Sequence, residues 1–200
     1  NMILRRIASG CVEETGGLFI TLPEDDLAYQ KIFIDACRAA GIRAEAIAPD
    51  LARRLEPSVN PDLIGAVKVP DGSIDPFCLT MANVTDAKLH GADILTYHEV
   101  SDFIRTGSRI EGVIIDHRNA VEEVRATADV VVNAAGIWGH LLAEKAGVTV
   151  KMFPAKGALL VFGHRVNNVV VNRCRKPANA DILVPGDTVC VIGTTSDRVP

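Results

Sequence analysis

Three valines in a row, Val130, Val131 and Val132, run straight into Asn133, Ala134, Ala135 and Gly136. An unbroken apolar run of this kind predicts a strand buried on both faces, which requires cover above and below it. The small residues after it predict a tight turn, and a helix over about 137–146 follows. Such a strand delivers bare backbone to the carboxyl edge of a sheet, where ligands of open α/β sheets bind. Small side chains let a flat ring or a pyrophosphate approach the main chain. The plainer alternative is a strand-to-helix turn in which Gly136 serves packing alone. The string also resembles the Asn-Asn-Ala-Gly stretch of short-chain dehydrogenases, but that reading fails. It needs a downstream Tyr-x-x-x-Lys pair, whereas both tyrosines, Tyr29 and Tyr97, lie upstream and neither has lysine four residues on.

Around this centre the chain alternates helices and strands. Residues 1–9 read as the end of a helix already under way. A strand over 16–22 leads to a helix over 24–40, with Glu24, Asp25 and Asp26 in its first turn, where the dipole favours acid. One or two helical turns are expected over 49–54 and a strand over 63–70. Asp75 caps a second helix with Pro76 at its first position, and Gly91 closes it. Strands are then expected at 93–97, 99–106, 110–117 and 121–126 as a meander, turning at Gly107–Ser108 and Arg118–Asn119. The last fifty residues read as strands at 150–162, 168–173, 181–185 and 188–193. The fold class is therefore mixed α/β, with two interleaved and discontinuous domains. The expected parts are residues 1–75, 76–150 and 151–200, with seams near 70–76 and 148–152.

Composition narrows the functions. A net charge of −4 without a basic run argues against nucleic acid. Five cysteines with no Cys-x-x-Cys pair are expected to be free thiols of a reducing cytoplasm. The five histidines show no metal-ligand spacing, so no metal is expected. No apolar run reaches the ~18 residues that span a bilayer, and membrane contact would come through a partner.

Other candidates are local. Glu99 follows a strand and suits a ribose hydroxyl, and the Val100 main chain suits an adenine edge; a solvated strand end is the alternative. Lys156, beside Gly157 between apolar stretches, suits an anionic substrate or a flavin, or else it snorkels at a sheet edge. Arg173, Arg175 and Lys176 form a basic cluster able to attract phosphate, or simply a solvated loop. Thr194 and Thr195 end a strand with two hydroxyls.

Taken in order, "LFITLPEDD", "GAVKVPDGSIDP", "VVNAAGIWG", "FPAKGALLVF", "RCRKPANADILVPGD" and "IGTTSD" closely resemble the A subunits of anaerobic glycerol-3-phosphate dehydrogenases. These belong to the D-amino-acid-oxidase-like flavoproteins, and the similarity covers essentially the whole chain. The resemblance implies a partial FAD-binding domain interleaved with a sheet-rich substrate domain. It implies oxidation of glycerol 3-phosphate to dihydroxyacetone phosphate, with electrons passed through partner subunits to a membrane quinone. A cytoplasmic location, peripheral to the inner membrane through those subunits, follows. Glu99, Val100, Ala135, Gly136 and Trp138 inherit contacts to FAD; Lys156, Thr194 and Thr195 inherit places facing the substrate, with Arg173 as a phosphate candidate.

The departures matter equally. No Gly-x-Gly-x-x-Gly occurs in the 200 residues, so the FAD pyrophosphate cradle is absent from them. The resemblance therefore implies an internal piece, inactive alone. Aerobic relatives carry histidine where Leu159 stands, and no catalytic proton acceptor is singled out. The competing classes are a non-catalytic docking fragment and a sibling flavoprotein oxidase of amines or amino acids.

Overall fold

The computed structural model describes residues 2–179 and 181–199, and it divides into two compact units. The first contains the residues up to His90 together with Lys156–Asp197; the second contains Gly91–Ala155 and the residues from Arg198. The chain thus crosses at 90/91, 155/156 and 197/198, whereas seams were expected near 70–76 and 148–152.

The first unit begins with α1 (Met2–Ile7) and β1 (Val12–Glu13). It continues through β2 (Gly17–Thr21), α2 (Tyr29–Ala39), β3 (Glu45–Ile47), α3 (Pro49–Leu55), β4 (Gly65–Val69), β5 (Ser73–Ile74) and α4 (Pro76–Leu89). The second unit holds β6 (His98–Thr106), β7 (Arg109–His117), β8 (Glu123–Thr127), a 3-10 turn at Gly136–Trp138 and α5 (Gly139–Lys145). The short strands β9 (Ala155–Lys156) and β14 (Asp197–Arg198) straddle crossings. Between them lie β10 (Leu160–Phe162), β11 (Val170–Arg173), β12 (Ile182–Pro185) and β13 (Cys190–Gly193).

The first unit is built on a seven-stranded sheet in the order β10-β13-β12-β11-β2-β4-β3. Its one parallel pairing, β11 with β2, joins the two distant halves of the sequence. Alternation along β2 and β4 explains why both faces are dry. Leu18, Ile20 and Ala66 pack with Ala52 of α3 and with Leu63 on one side. Val67 and Val69 pack with Phe19 and with Phe33 and Ile34 of α2 on the other.

Polar ties hold the seam between the halves. Glu56, just past the end of α3, is buried, and its carboxylate accepts from the Asn168 and Val169 N–H groups at 2.6 and 3.1 Å. Ser58 adds its hydroxyl at 2.7 Å and its N–H at 3.2 Å. Burial pushes the Glu56 carboxyl up, but these four donors outweigh it and hold it below the ordinary glutamate value. Asn167, equally buried, donates to the Val169 and Leu183 carbonyls and accepts from the Cys190 thiol. At the far end of β11, Arg173 grips the buried Asp25 in the turn after β2.

Several expectations change. The acidic run does not open a helix, because α2 starts only at Tyr29. Asp25 and Asp26 instead accept from the Leu22 and Ala28 amides, and such side-chain-to-backbone bonds favour turns over helix. Residues 93–97 are irregular, and the meander starts at His98. Residues 150–162 yield only β9 and β10, broken around Gly157. A disulfide joins Cys11 to Cys78, whereas five free thiols were expected. Cys37, Cys174 and Cys190 remain buried thiols, and burial pushes Cys174 up to about 11. The cap of α4 is as expected: Asp75 accepts from Phe77 and Cys78 N–H behind Pro76.

The second unit is smaller. β6, β7 and β8 form the antiparallel meander, with a register break at Ser101. The valine run departs most from expectation. It forms no strand, and Val130 and Val132 are 74% and 81% exposed. The physical reason is the lack of a ladder partner: no strand among the described residues pairs with it, so its backbone groups have no sheet to join.

Glu56 generates a prediction with a sign. A depressed carboxyl stabilises the fold fully above its ordinary value of 4.5, and this contribution is lost as pH falls through the lower folded value. Glu56→Gln replaces a charged acceptor by an amide facing N–H donors, so urea unfolding at neutral pH should show a loss of about 2–3 kcal/mol. The gap between variant and parent should shrink in acid. An equal gap at pH 7 and at pH 3 would contradict the assignment.

Candidate functional site

The turn at 133–139 is shaped locally. The Asn133 Oδ1 accepts from the Ala135 N–H at 3.2 Å, and Nδ2 donates to the Gly139 carbonyl at 2.8 Å. Gly136 has φ +55°, a conformation open to glycine and costly for most side chains. A Cβ built on it meets nothing within 4 Å, so the main chain there is approachable. The turn feeds α5, whose Lys145 ammonium donates to the Ser101 carbonyl at the register break of β6.

Within the second unit these elements line an open cleft of about 1010 Å³. Glu99 and Val100 of β6 form one side, and Ala135, Trp138 and Leu142 form the other. Four of the five residues proposed for FAD from sequence therefore meet in one place, and Gly136 lies on the turn between Ala135 and Trp138. Arg118 was missed; only its place in a turn marked it. It stands at the rim, where its Nε donates to Glu99 Oε2 at 3.0 Å and its Nη2 lies 2.9 Å from the same oxygen as an ion pair. Both contacts fall on the same oxygen, which leaves Oε1 without a hydrogen bond among the described residues. The result is an apolar slot with a polar rim, the usual make-up of a small-molecule site. It suits a flat ring system against Val100 and Trp138 and a hydroxyl against Glu99, which is the chemistry of an adenosine. The pyrophosphate of FAD has no amide cradle here, since the 200 residues contain no glycine-rich loop.

In the first unit, the strand-end threonines meet the segment after Lys156. The Ala158 N–H donates to Thr195 Oγ1 at 3.0 Å, and the Thr194 hydroxyl donates to the Thr195 carbonyl at 2.9 Å. A Cβ on Gly157 would lie 2.3 Å from Thr194 Oγ1, so only glycine fits between the strands. Lys156 is exposed. Arg173 does not stand ready for an anion. It is the clamp on Asp25 and also bonds Glu24 at 3.0 Å, so its charge is already matched. Arg175 is likewise engaged by Asp181. No group of three or more potential metal ligands occurs among the described residues, and no helix is long and apolar enough to cross a membrane.

Comparison with known proteins bears on this geometry. The sequence matches the FAD dependent oxidoreductase family over residues 3–200. It is 63% identical, over its full length, to the A subunit of the anaerobic glycerol-3-phosphate dehydrogenase of Haemophilus influenzae, and it spans 36% of that relative. Glycine oxidase from Bacillus cereus superposes with a TM-score of 0.79 at 25% identity, covering 100% of this chain and 53% of the other. Glycerol-3-phosphate dehydrogenase from Bacillus halodurans, solved with FAD, gives 0.69 at 21% identity, covering 99% of this chain and 37% of the other, a likeness of fold. The match over residues 3–200 places this chain in the FAD dependent oxidoreductase family.

Proposed function

We propose that this chain is the internal part of an FAD-dependent dehydrogenase that oxidises glycerol 3-phosphate to dihydroxyacetone phosphate. Electrons then pass through partner subunits to a membrane quinone, with the protein cytoplasmic and peripheral to the inner membrane. The observation that carries this reading is the meeting of Glu99, Val100, Ala135 and Trp138 in one cleft, taken with 63% identity to a relative named for that activity.

In this reading Val100 presents its main chain to the adenine, and the open Oε1 of Glu99 accepts from a ribose hydroxyl. Ala135 and Gly136 offer bare backbone, and Trp138 packs on the cofactor. The bound flavin supplies the hydride acceptor for the carbinol carbon of the substrate. Lys156 attracts the phosphate dianion as a point charge. Thr194 and Thr195 hold the strand end beside Gly157. Arg173 leaves the phosphate-binding set, because Asp25 occupies it.

Three measurements test this. The full-length protein, loaded with FAD under anaerobic conditions, should lose its visible flavin absorbance on addition of glycerol 3-phosphate. No bleaching with that substrate, or bleaching with an amino acid instead, overturns the assignment. Lys156→Ala should raise KM for glycerol 3-phosphate about tenfold or more while leaving FAD content intact, as expected for a lost charge-assisted contact; an unchanged KM removes Lys156 from the site. The 200 residues alone should show no FAD affinity in the range of about 1 μM, since the helix-terminus cradle that grips pyrophosphate is not among them. Tight binding by the isolated chain would show that the cleft suffices.

A further inference from the structure

We propose that Asn133 is a positioning residue that sets the shape of the cofactor-facing turn; this rests on the reading of the cleft given above. Its side chain is fastened at both ends of that turn. Oδ1 takes the Ala135 N–H at 3.2 Å, and Nδ2 reaches the Gly139 carbonyl at 2.8 Å. Gly139 is the first residue of α5, and a Cβ there would come within 3.5 Å of Asn133 Oδ1, so the amide lies directly against that helix start.

The rest of the turn has few other restraints. The Trp138 N–H bonds the Ala135 carbonyl at 3.1 Å, and the His140 ring bonds the Ile137 carbonyl at 2.9 Å. The preceding valines lie in no sheet ladder among the described residues. One planar amide therefore spaces Ala135 from Gly139, and between these two sit Gly136 and Trp138. Both a donor and an acceptor are required at once. Asparagine supplies them in a fixed geometry, aspartate supplies only acceptors, and alanine supplies neither.

The dual requirement gives the test its form. Asn133→Ala and Asn133→Asp are made in the full-length protein, FAD is removed, and the apoproteins are titrated with FAD. Melting of each apoprotein and steady-state kinetics of each reloaded enzyme are followed alongside. Asn133→Ala should weaken FAD binding about tenfold, the scale of one to two lost hydrogen bonds. Asn133→Asp should recover part of the loss, because it keeps the bond to Ala135. KM for glycerol 3-phosphate in the reloaded enzymes should stay unchanged. If Asn133→Ala binds FAD as tightly as the parent, the proposal fails. It fails equally if the variant merely melts earlier while its folded fraction retains parental FAD affinity, since that is a structural role alone. Failure of the unsubstituted protein to bind FAD would sink the reading of the cleft itself, and the proposal with it.

Discussion

A single carboxylate organises the larger unit. Glu56 collects four donors, two of them the amides immediately before β11, and so fixes where the second sequence segment enters the sheet beside β2. Parallel pairing between strands so far apart in sequence cannot be specified by a hairpin turn. The polar ties at the two ends of β11, Glu56 at its start and Asp25 with Arg173 at its finish, do what a turn does elsewhere. The Leu18–Ile20–Val171 layer is built on that register. A slip of one residue would turn each of these side chains to the wrong face.

Much of this architecture could be read from local chemistry. The Asp75–Pro76 cap, the apolar strands around residues 17–21 and 65–69, and the meander turn at Gly107 need only neighbouring residues. What could not be read depended on distant partners. Nothing near Arg173 in sequence shows that Asp25 will claim it, and nothing near Cys11 points to Cys78. The valine run misled for a related reason: three valines state a preference for burial, but burial needs another strand. The acidic turn at 24–26 failed because aspartate caps turns and helix starts with the same bond.

The candidate site was legible to a similar degree. Glu99, Val100, Ala135 and Trp138 were found through motif resemblance, and they do converge. Two other residues that line the cleft were less visible. Arg118 and Lys145 act across the meander and from α5, at separations that no motif spans. The substrate candidates divide: Thr194 and Thr195 knit into the segment behind Lys156, while Arg173 belongs to the scaffold.

The bond between Cys11 and Cys78 has a consequence for assembly. It closes a ring 67 residues apart in sequence, which contains β2, α2, β3, α3 and β4. Chain-entropy arguments give such a ring about 4 kcal/mol, through the freedom it removes from the unfolded polypeptide. The remaining sheet strands, β10 to β13, lie outside the ring and gain nothing from it directly. One half of the sheet is thus covalently hooped, while the other depends on noncovalent pairing against its rim. Under a reducing agent the hooped half would lose its advantage and the two halves would become more nearly equal in cooperativity.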